Sequence, residues 1–140
     1  MSNLVMIVDD SLTVRKILEV SLKRAGLEVV AYTDGIRALE ALTSGTLPSL
    51  PDVIILDVMM PKLNGFALAR LLRSKPHLRH IPIVMLTSRD NMLSQLRGRM
   101  AGATEYLTKP FKTQEVIDVV NRYLKPDEQQ IQQTYRSQAW

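Results

Sequence analysis

The 140-residue sequence contains no cysteine, which excludes disulfides and thiolate metal sites together and suits a reducing compartment. It also lacks a long apolar run near its start. Leu4 to Val8 is closed by Asp9 and Asp10, too short for the core of a signal peptide and without a basic leader. Nor does it approach the roughly 20 apolar residues that cross a bilayer. A cytoplasmic protein without membrane insertion is the expectation. There is no internal repeat, and no DNA-reading motif accompanies the basic residues, so direct nucleic-acid binding is not expected.

What is present is the composition of one compact domain: 46% hydrophobic and 23% charged, large enough to bury roughly 70% of its extended-chain surface without staples. The net charge of +4 is unevenly spread. Residues 1–62 hold six basic and eight acidic side chains, residues 63–140 twelve and six. The densest stretch sets Arg70, Arg73, Lys75, Arg79, Arg89, Arg97 and Arg99 against Asp90 alone. It reads as solvated helix faces for the most part, with an acidic partner surface or nucleic acid as the functional alternatives.

Apolar runs of strand length alternate with segments of helical period. The strands are expected at Leu4–Val8, Glu28–Tyr32, Val53–Asp57, Ile83–Thr87 and Thr104–Leu107. The first, third and fourth are nearly all apolar, as parallel strands buried on both faces require. Ser11 is placed to cap a first helix carrying Val14, Ile17, Leu18, Leu22 and Ala25 on one stripe, stopped by Gly26. Asp34 caps a second from Gly35 to about Leu42, Asn64 a third from Gly65 to Arg73, and Asp90 a fourth from Asn91 to Ala101. Thr113 caps a fifth with Val116, Ile117, Val120, Tyr123 and Leu124 as its stripe. Thr43 to Pro51 reads as a flexible loop. The glutamine-rich tail, 126–140, is either disordered or a short docked helix.

Strict βα alternation makes an α/β fold: a flavodoxin-like, doubly wound sandwich with right-handed crossovers and a parallel five-stranded sheet in the order 2-1-3-4-5. In such sheets ligands bind at the carboxyl ends of the strands, beside the switch point between strands 1 and 3. That rule selects Asp9, Asp10 and Asp57. Three carboxylates at adjacent strand ends repel unless a cation sits among them, and an all-oxygen set favours Mg²⁺ or Mn²⁺. Thr87 ends strand 4 and Lys109 follows strand 5 directly before Pro110, adding a hydroxyl and a compact ammonium to the same edge.

Four motifs then coincide in order: Val8-Asp9-Asp10-Ser11; Ile55 to Pro61 with Asn64-Gly65; Ile83 to Ser88; and Gly102-Ala103 followed by Tyr106 to Phe111. Together they resemble bacterial two-component response-regulator receiver domains over about residues 3–125. The resemblance implies a receiver domain at 1–125 in which Asp57 is the phosphoacceptor, supplied by a histidine kinase or a phosphotransfer protein. It makes Asp10 the direct Mg²⁺ ligand, Asp9 its water-linked partner, and the Met59 backbone carbonyl a further ligand. Lys109 becomes the phosphoryl-binding lysine, with a cis bond to Pro110. Thr87 is the switch hydroxyl and Tyr106 the aromatic switch. Met59 and Arg89, two residues after Asp57 and Thr87, imply slow self-dephosphorylation.

The output expected is a changed surface over helix 4, strand 5 and helix 5, with Arg97, Arg99 and Tyr106 on it, meeting a downstream protein target or passing the phosphoryl group on. The chain is expected to be a monomer or a phosphorylation-dependent dimer. It is not expected to be a metabolic enzyme, because an aspartate-nucleophile phosphatase wants a second carboxylate where Met59 stands. About 15 residues follow helix 5, too few for a DNA-binding output domain, so a stand-alone receiver is expected. The alternatives are a fragment of a longer response regulator or hybrid kinase, or a phosphorylation-independent scaffold.

Overall fold

The computed structural model describes residues 3–88 and 92–124. The elements run β1 (Leu4–Val8), α1 (Leu12–Arg24), β2 (Glu28–Tyr32), α2 (Gly35–Ser44), β3 (Val53–Leu56), α3 (Gly65–Ser74), β4 (Ile83–Thr87), α4 (Met92–Ala101), β5 (Glu105–Thr108) and α5 (Thr113–Tyr123). All five strands are parallel, in the order β2-β1-β3-β4-β5. This is the doubly wound α/β arrangement expected from the alternation.

The central strands β1, β3 and β4 are buried at every residue, whereas the edge strands β2 and β5 are only partly covered. Their apolar runs split by the pleat into two cores. Met6, Val8, Ile54, Leu56, Ile83 and Met85 pack with α2 and α3 on one face, while Val5, Ile7, Val53, Ile55, Val84 and Leu86 pack with α1 and α5 on the other. On α1 the buried stripe is narrower than the periodicity suggests: Leu18 and Leu22 are covered and Ile17 is exposed. On α5, Val119 joins Val116 and Val120 beneath the surface.

Ser11, Asp34 and Asn64 cap their helices as expected. Their side chains accept from the amides of Val14 at 3.3 Å, Arg37 at 2.8 Å and Ala67 at 2.9 Å. Thr113 does not cap α5. Lys112 occupies that position, and since lysine has no side-chain acceptor, only the return half of a capping box forms, Glu115 accepting from the Lys112 amide at 3.2 Å. The expected cap of α4, Asp90, its neighbour Asn91 and the glutamine-rich tail lie outside the described residues. Three strand limits shift by one: Asp57 stands just beyond β3, and β5 begins at Glu105 and ends at Thr108.

Arg73 departs from the solvated reading of the basic stretch. Its guanidinium donates twice to the Gly102 carbonyl, at 2.7 and 2.9 Å, and once each to the carbonyls of Arg79 and Ile81, at 2.7 Å. One side chain thus ties the end of α3 to the connections that lead into β4 and β5. Hydrogen bonds from a charged donor contribute roughly 1.5–3 kcal/mol each at best, and non-additively. Arg73→Met is therefore expected to cost about 2 kcal/mol in urea unfolding, against less than about 0.5 kcal/mol for the exposed Arg70→Met. Equal effects would mean that the network contributes nothing beyond a surface charge.

Candidate functional site

The backbone itself brings the polar residues to one edge. Beyond the last residues of their strands, three amides donate across to the neighbouring strand: Asp9 to the Tyr32 carbonyl at 3.2 Å, Asp57 to that of Val8 at 2.9 Å, and Lys109 to that of Thr87 at 2.7 Å. The carboxyl edge of the sheet therefore sets the positions of Asp9, Asp57 and Lys109 relative to one another before any side chain is considered. The Lys109–Pro110 peptide is cis.

Carboxylate oxygens of Asp9, Asp10 and Asp57 all lie within 4.8 Å of one another. Asp9 and Asp57 are buried and Asp10 is exposed at the mouth. The Lys109 ammonium is 2.8 Å from Asp9 Oδ2 and 3.7 Å from Asp57 Oδ2. Asp9 is further held through Oδ1 by the Ser11 amide at 2.9 Å, and its carbonyl accepts from Arg15 Nη1 at 2.7 Å. Asp57 Oδ1 accepts the Met59 amide at 3.2 Å.

Burial, and then the adjacent charge of Asp9, push the Asp57 carboxyl up to about 6, against the opposing pull of Lys109 and the Met59 amide. One ammonium does not balance three carboxylates. An all-oxygen donor set this crowded suits a hard divalent cation of the Mg²⁺ type, which binds through one or two carboxylates and keeps several waters.

Thr87 is fully buried at the end of β4. Tyr106, on β5, is half-buried against α4, where residue 98 is glycine: a Cβ there would stand 2.9 Å from the tyrosine ring. Met59, 47% exposed, lines an open cleft of about 510 Å³ with Asp10, Val58, Asn64, Phe66 and Arg97. Arg89, expected beside the pocket, lies outside the described residues.

The structure separates two residues that were expected on one partner surface. Arg97 turns towards α3, its guanidinium carbon 4.6 Å from the Phe66 ring centroid, and lines the cleft that Asp10 also lines. Arg99 lies on another side of α4, lining one hollow with Met92, Leu93, Gln95 and Leu96 and a second with Tyr106. Sequence reasoning missed the cleft position of Arg97 and the grip of Arg15 on Asp9. The helical angle between positions 97 and 99 was the one available signal for the first; nothing local signals the second.

The family model described as the response regulator receiver domain matches residues 5–121. Protein PilG of Pseudomonas aeruginosa is 33% identical over 120 residues, 86% of each chain. Among solved structures, chemotaxis protein CheY4 of Vibrio cholerae superposes with a TM-score of 0.80 at 33% identity, covering 89% of this chain and all of that one. The receiver domain of a sensor histidine kinase from Pseudomonas aeruginosa, with a magnesium ion coordinated in its active-site cleft, gives 0.78 at 27% identity over 88% of this chain and 98% of that one. Other relatives are longer, and the chain spans between 15% and 53% of their length.

Proposed function

The chain belongs to the response regulator receiver family, and from that premise we propose that it accepts a phosphoryl group on Asp57 from a histidine kinase or phosphotransfer protein, in a reaction dependent on Mg²⁺ or Mn²⁺. The observation that carries this reading is the convergence of Asp9, Asp10 and Asp57 within 4.8 Å, with the Lys109 ammonium beside two of them. Asp10, Asp57 and the Met59 backbone carbonyl would hold the ion, with Asp9 reaching it through water. When bound, the cation supplies charge neutralisation for the carboxylates and the incoming phosphoryl oxygens.

An Asp57 carboxylate oxygen attacks phosphorus in line. The phosphorus–nitrogen bond of the donor phosphohistidine breaks, and the imidazole leaves with the bonding pair. Lys109 shifts its ammonium from Asp9 towards a phosphoryl oxygen, a short step given its 3.7 Å distance from Asp57. The aspartyl phosphate then offers an acceptor to the Thr87 hydroxyl, and Tyr106 follows into the space released. Phosphate thereby biases a two-state surface over α4, β5 and α5. Met59 shields the acyl phosphate from water, which makes its loss slow. On this reading the protein is a phosphoacceptor switch and not a metabolic enzyme.

The test is mass spectrometry with peptide mapping after transfer from candidate phosphorylated kinases, with and without EDTA. Incorporation confined to Asp57 and abolished by EDTA supports the reading; incorporation elsewhere, or none from any donor, defeats it.

The output face has its own chemistry. Met92, Leu96 and Met100 recur at i, i+4 and i+8 on α4, with exposures of 87%, 53% and 74%, and Leu93 and Arg99 flank them. A downstream protein with an apolar stripe and acidic margins fits that face. Met92→Glu with Met100→Glu is expected to weaken phospho-dependent capture of that target by at least about tenfold while leaving Asp57 phosphorylation intact. Unchanged capture would remove α4 from the output surface.

A further inference from the structure

The chain has no cysteine, so methionine is its only sulfur. Among the described residues the methionines fall into two sets. Met6, Met60 and Met85 are buried in the core shared with α2 and α3, whereas Met59, Met92 and Met100 are exposed. The adjacent pair Met59-Met60 divides most sharply: the first is 47% exposed and the second 8%. The loop backbone enforces that division. The Met59 amide donates to Asp57 Oδ1 and the Met60 amide to the Val58 carbonyl, each at 3.2 Å, while Val58 and Met60 pack inward. The Met59 side chain is left in the cleft with Asp10, Asn64 and Arg97, two residues from the carboxylate that accepts the phosphoryl group in the reading above.

A thioether is an apolar filler and a two-electron reductant at once. In its reduced form it keeps water from the acyl phosphate. A sulfoxide puts a strongly polar group with an oxygen acceptor where the apolar sulfur stood, and holds water by hydrogen bonds instead of excluding it. We propose that Met59 is an oxidation site, and that its conversion to the sulfoxide by a hydroperoxide shortens the life of the phosphoryl group on Asp57. This rests on the phosphoacceptor reading and adds an oxidative input to it.

The step balances with hydrogen peroxide alone. The sulfur lone pair attacks one peroxide oxygen, the O–O bond breaks, and the departing hydroxide takes the proton of the transferred hydroxyl to leave as water. Sulfur is oxidised by two electrons and the peroxide reduced by two. A dithiol-dependent sulfoxide reductase returns the thioether: the sulfoxide oxygen leaves as water and two thiols close to a disulfide. In the oxidised protein, water at the sulfoxide attacks phosphorus, the bond to the Asp57 oxygen breaks, and the carboxylate leaves with the pair. The proton of the attacking water passes to solvent. Met92 and Met100 oxidise as well, but they lie on the outward stripe of α4.

The experiment treats wild type, Met59→Leu and the double variant Met92→Leu with Met100→Leu with hydrogen peroxide, removes the excess, and locates sulfoxides by peptide mapping. Each protein is then labelled from a phosphorylated kinase or from acetyl phosphate, and loss of the label is followed by mass spectrometry. In wild type, Met59 is expected to oxidise at least about tenfold faster than Met60. The phosphoryl half-life should then fall about fivefold, with the melting temperature unchanged. The double variant should show the same fall and Met59→Leu none. Equal oxidation of Met59 and Met60, an unchanged half-life in treated wild type, or the same fall in treated Met59→Leu overturns the inference and leaves the phosphoacceptor reading standing. If untreated wild type takes label from neither donor, that reading falls and the inference with it.

Discussion

Replacing Asp57 with asparagine is expected to abolish phosphoryl acceptance and, in the metal-free protein near neutral pH, to raise the melting temperature. The first effect follows from chemistry, since a carboxamide is not a nucleophile that can form the acyl phosphate. The second follows from the cluster. Asp57 titrates at about 6 because burial and the Asp9 charge disfavour its ionised form. A carboxyl whose folded value exceeds its unfolded value of 3.8 holds its proton longer in the folded state. Stability therefore falls as pH rises through the window from about 4 to about 6 and stays lower above it, while below that window neither state is penalised.

Asparagine removes the charge at constant shape. Allowing for water at the cleft mouth, the relief is roughly 1–2 kcal/mol, or about 3–8 °C in melting temperature for a domain of this size. Thermal unfolding by circular dichroism at about pH 5 and about pH 7.5 measures it. The variant should gain at the higher pH, gain much less at the lower, and show a smaller rise on adding Mg²⁺ than wild type does. A variant less stable than wild type at neutral pH would mean that Asp57 is satisfied without a cation, and the proposed metal dependence would lose its physical basis.

Much of this site was legible because it depends on strand ends. Runs such as Ile54-Ile55-Leu56 and Val84-Met85-Leu86 read as strands buried on both faces, and the rule that ligands gather at carboxyl ends then singled out the aspartates. The caps at Ser11, Asp34 and Asn64 were legible for a similar reason: each is a short-range bond between a side chain and an amide three residues on. Element limits were less so. Whether β3 stops at Leu56 or Asp57 turns on the register against β1, where Val8 pairs with Leu56, and no local pattern encodes that. The cap of α5 failed because threonine preference argued for Thr113, while the chain used the reach of Glu115 back to the Lys112 amide instead.

The arginines were the least legible of all. Arg15, Arg73 and Arg97 look alike in a list of basic residues, yet one holds the Asp9 carbonyl, one ties three carbonyls near β4, and one lies on Phe66 at the cleft. A long side chain with a fork of donors finds partners that only tertiary structure supplies. The acidic edge of the sheet could thus be placed from the strand ends, and its phosphoacceptor reading from the family resemblance, whereas the division of positive charge between Lys109, Arg97 and Arg99 required the packing of α3 and α4.

Gly65→Ala is expected to be the most damaging small substitution next to the site, and it separates geometry from charge. Gly65 opens α3 directly after the Asn64 cap, and its amide donates to the Val58 carbonyl at 3.0 Å. A Cβ there would overlap the Asp57 carbonyl oxygen, lie 2.8 Å from Val58 Cα, and stand 3.0 Å from the Asp57 carbonyl carbon. All three are backbone atoms, so no rotamer change relieves the contact. Either α3 moves away from the sheet or the Asp57–Val58 peptide moves with its carboxylate. Overpacking of this kind costs about 3 kcal/mol. A misplacement approaching 1 Å at a reacting group lowers the transfer rate by about a hundredfold. Unlike Asp57→Asn, which loses acceptance while gaining stability, Gly65→Ala should lose both, with labelling at Asp57 slow but still present. Urea unfolding and acetyl phosphate labelling on the same preparation measure the two together. Wild-type values in both would show that the loop from Asp57 to Gly65 yields freely, and that Asp57 owes its position to the β1 and β3 backbone alone.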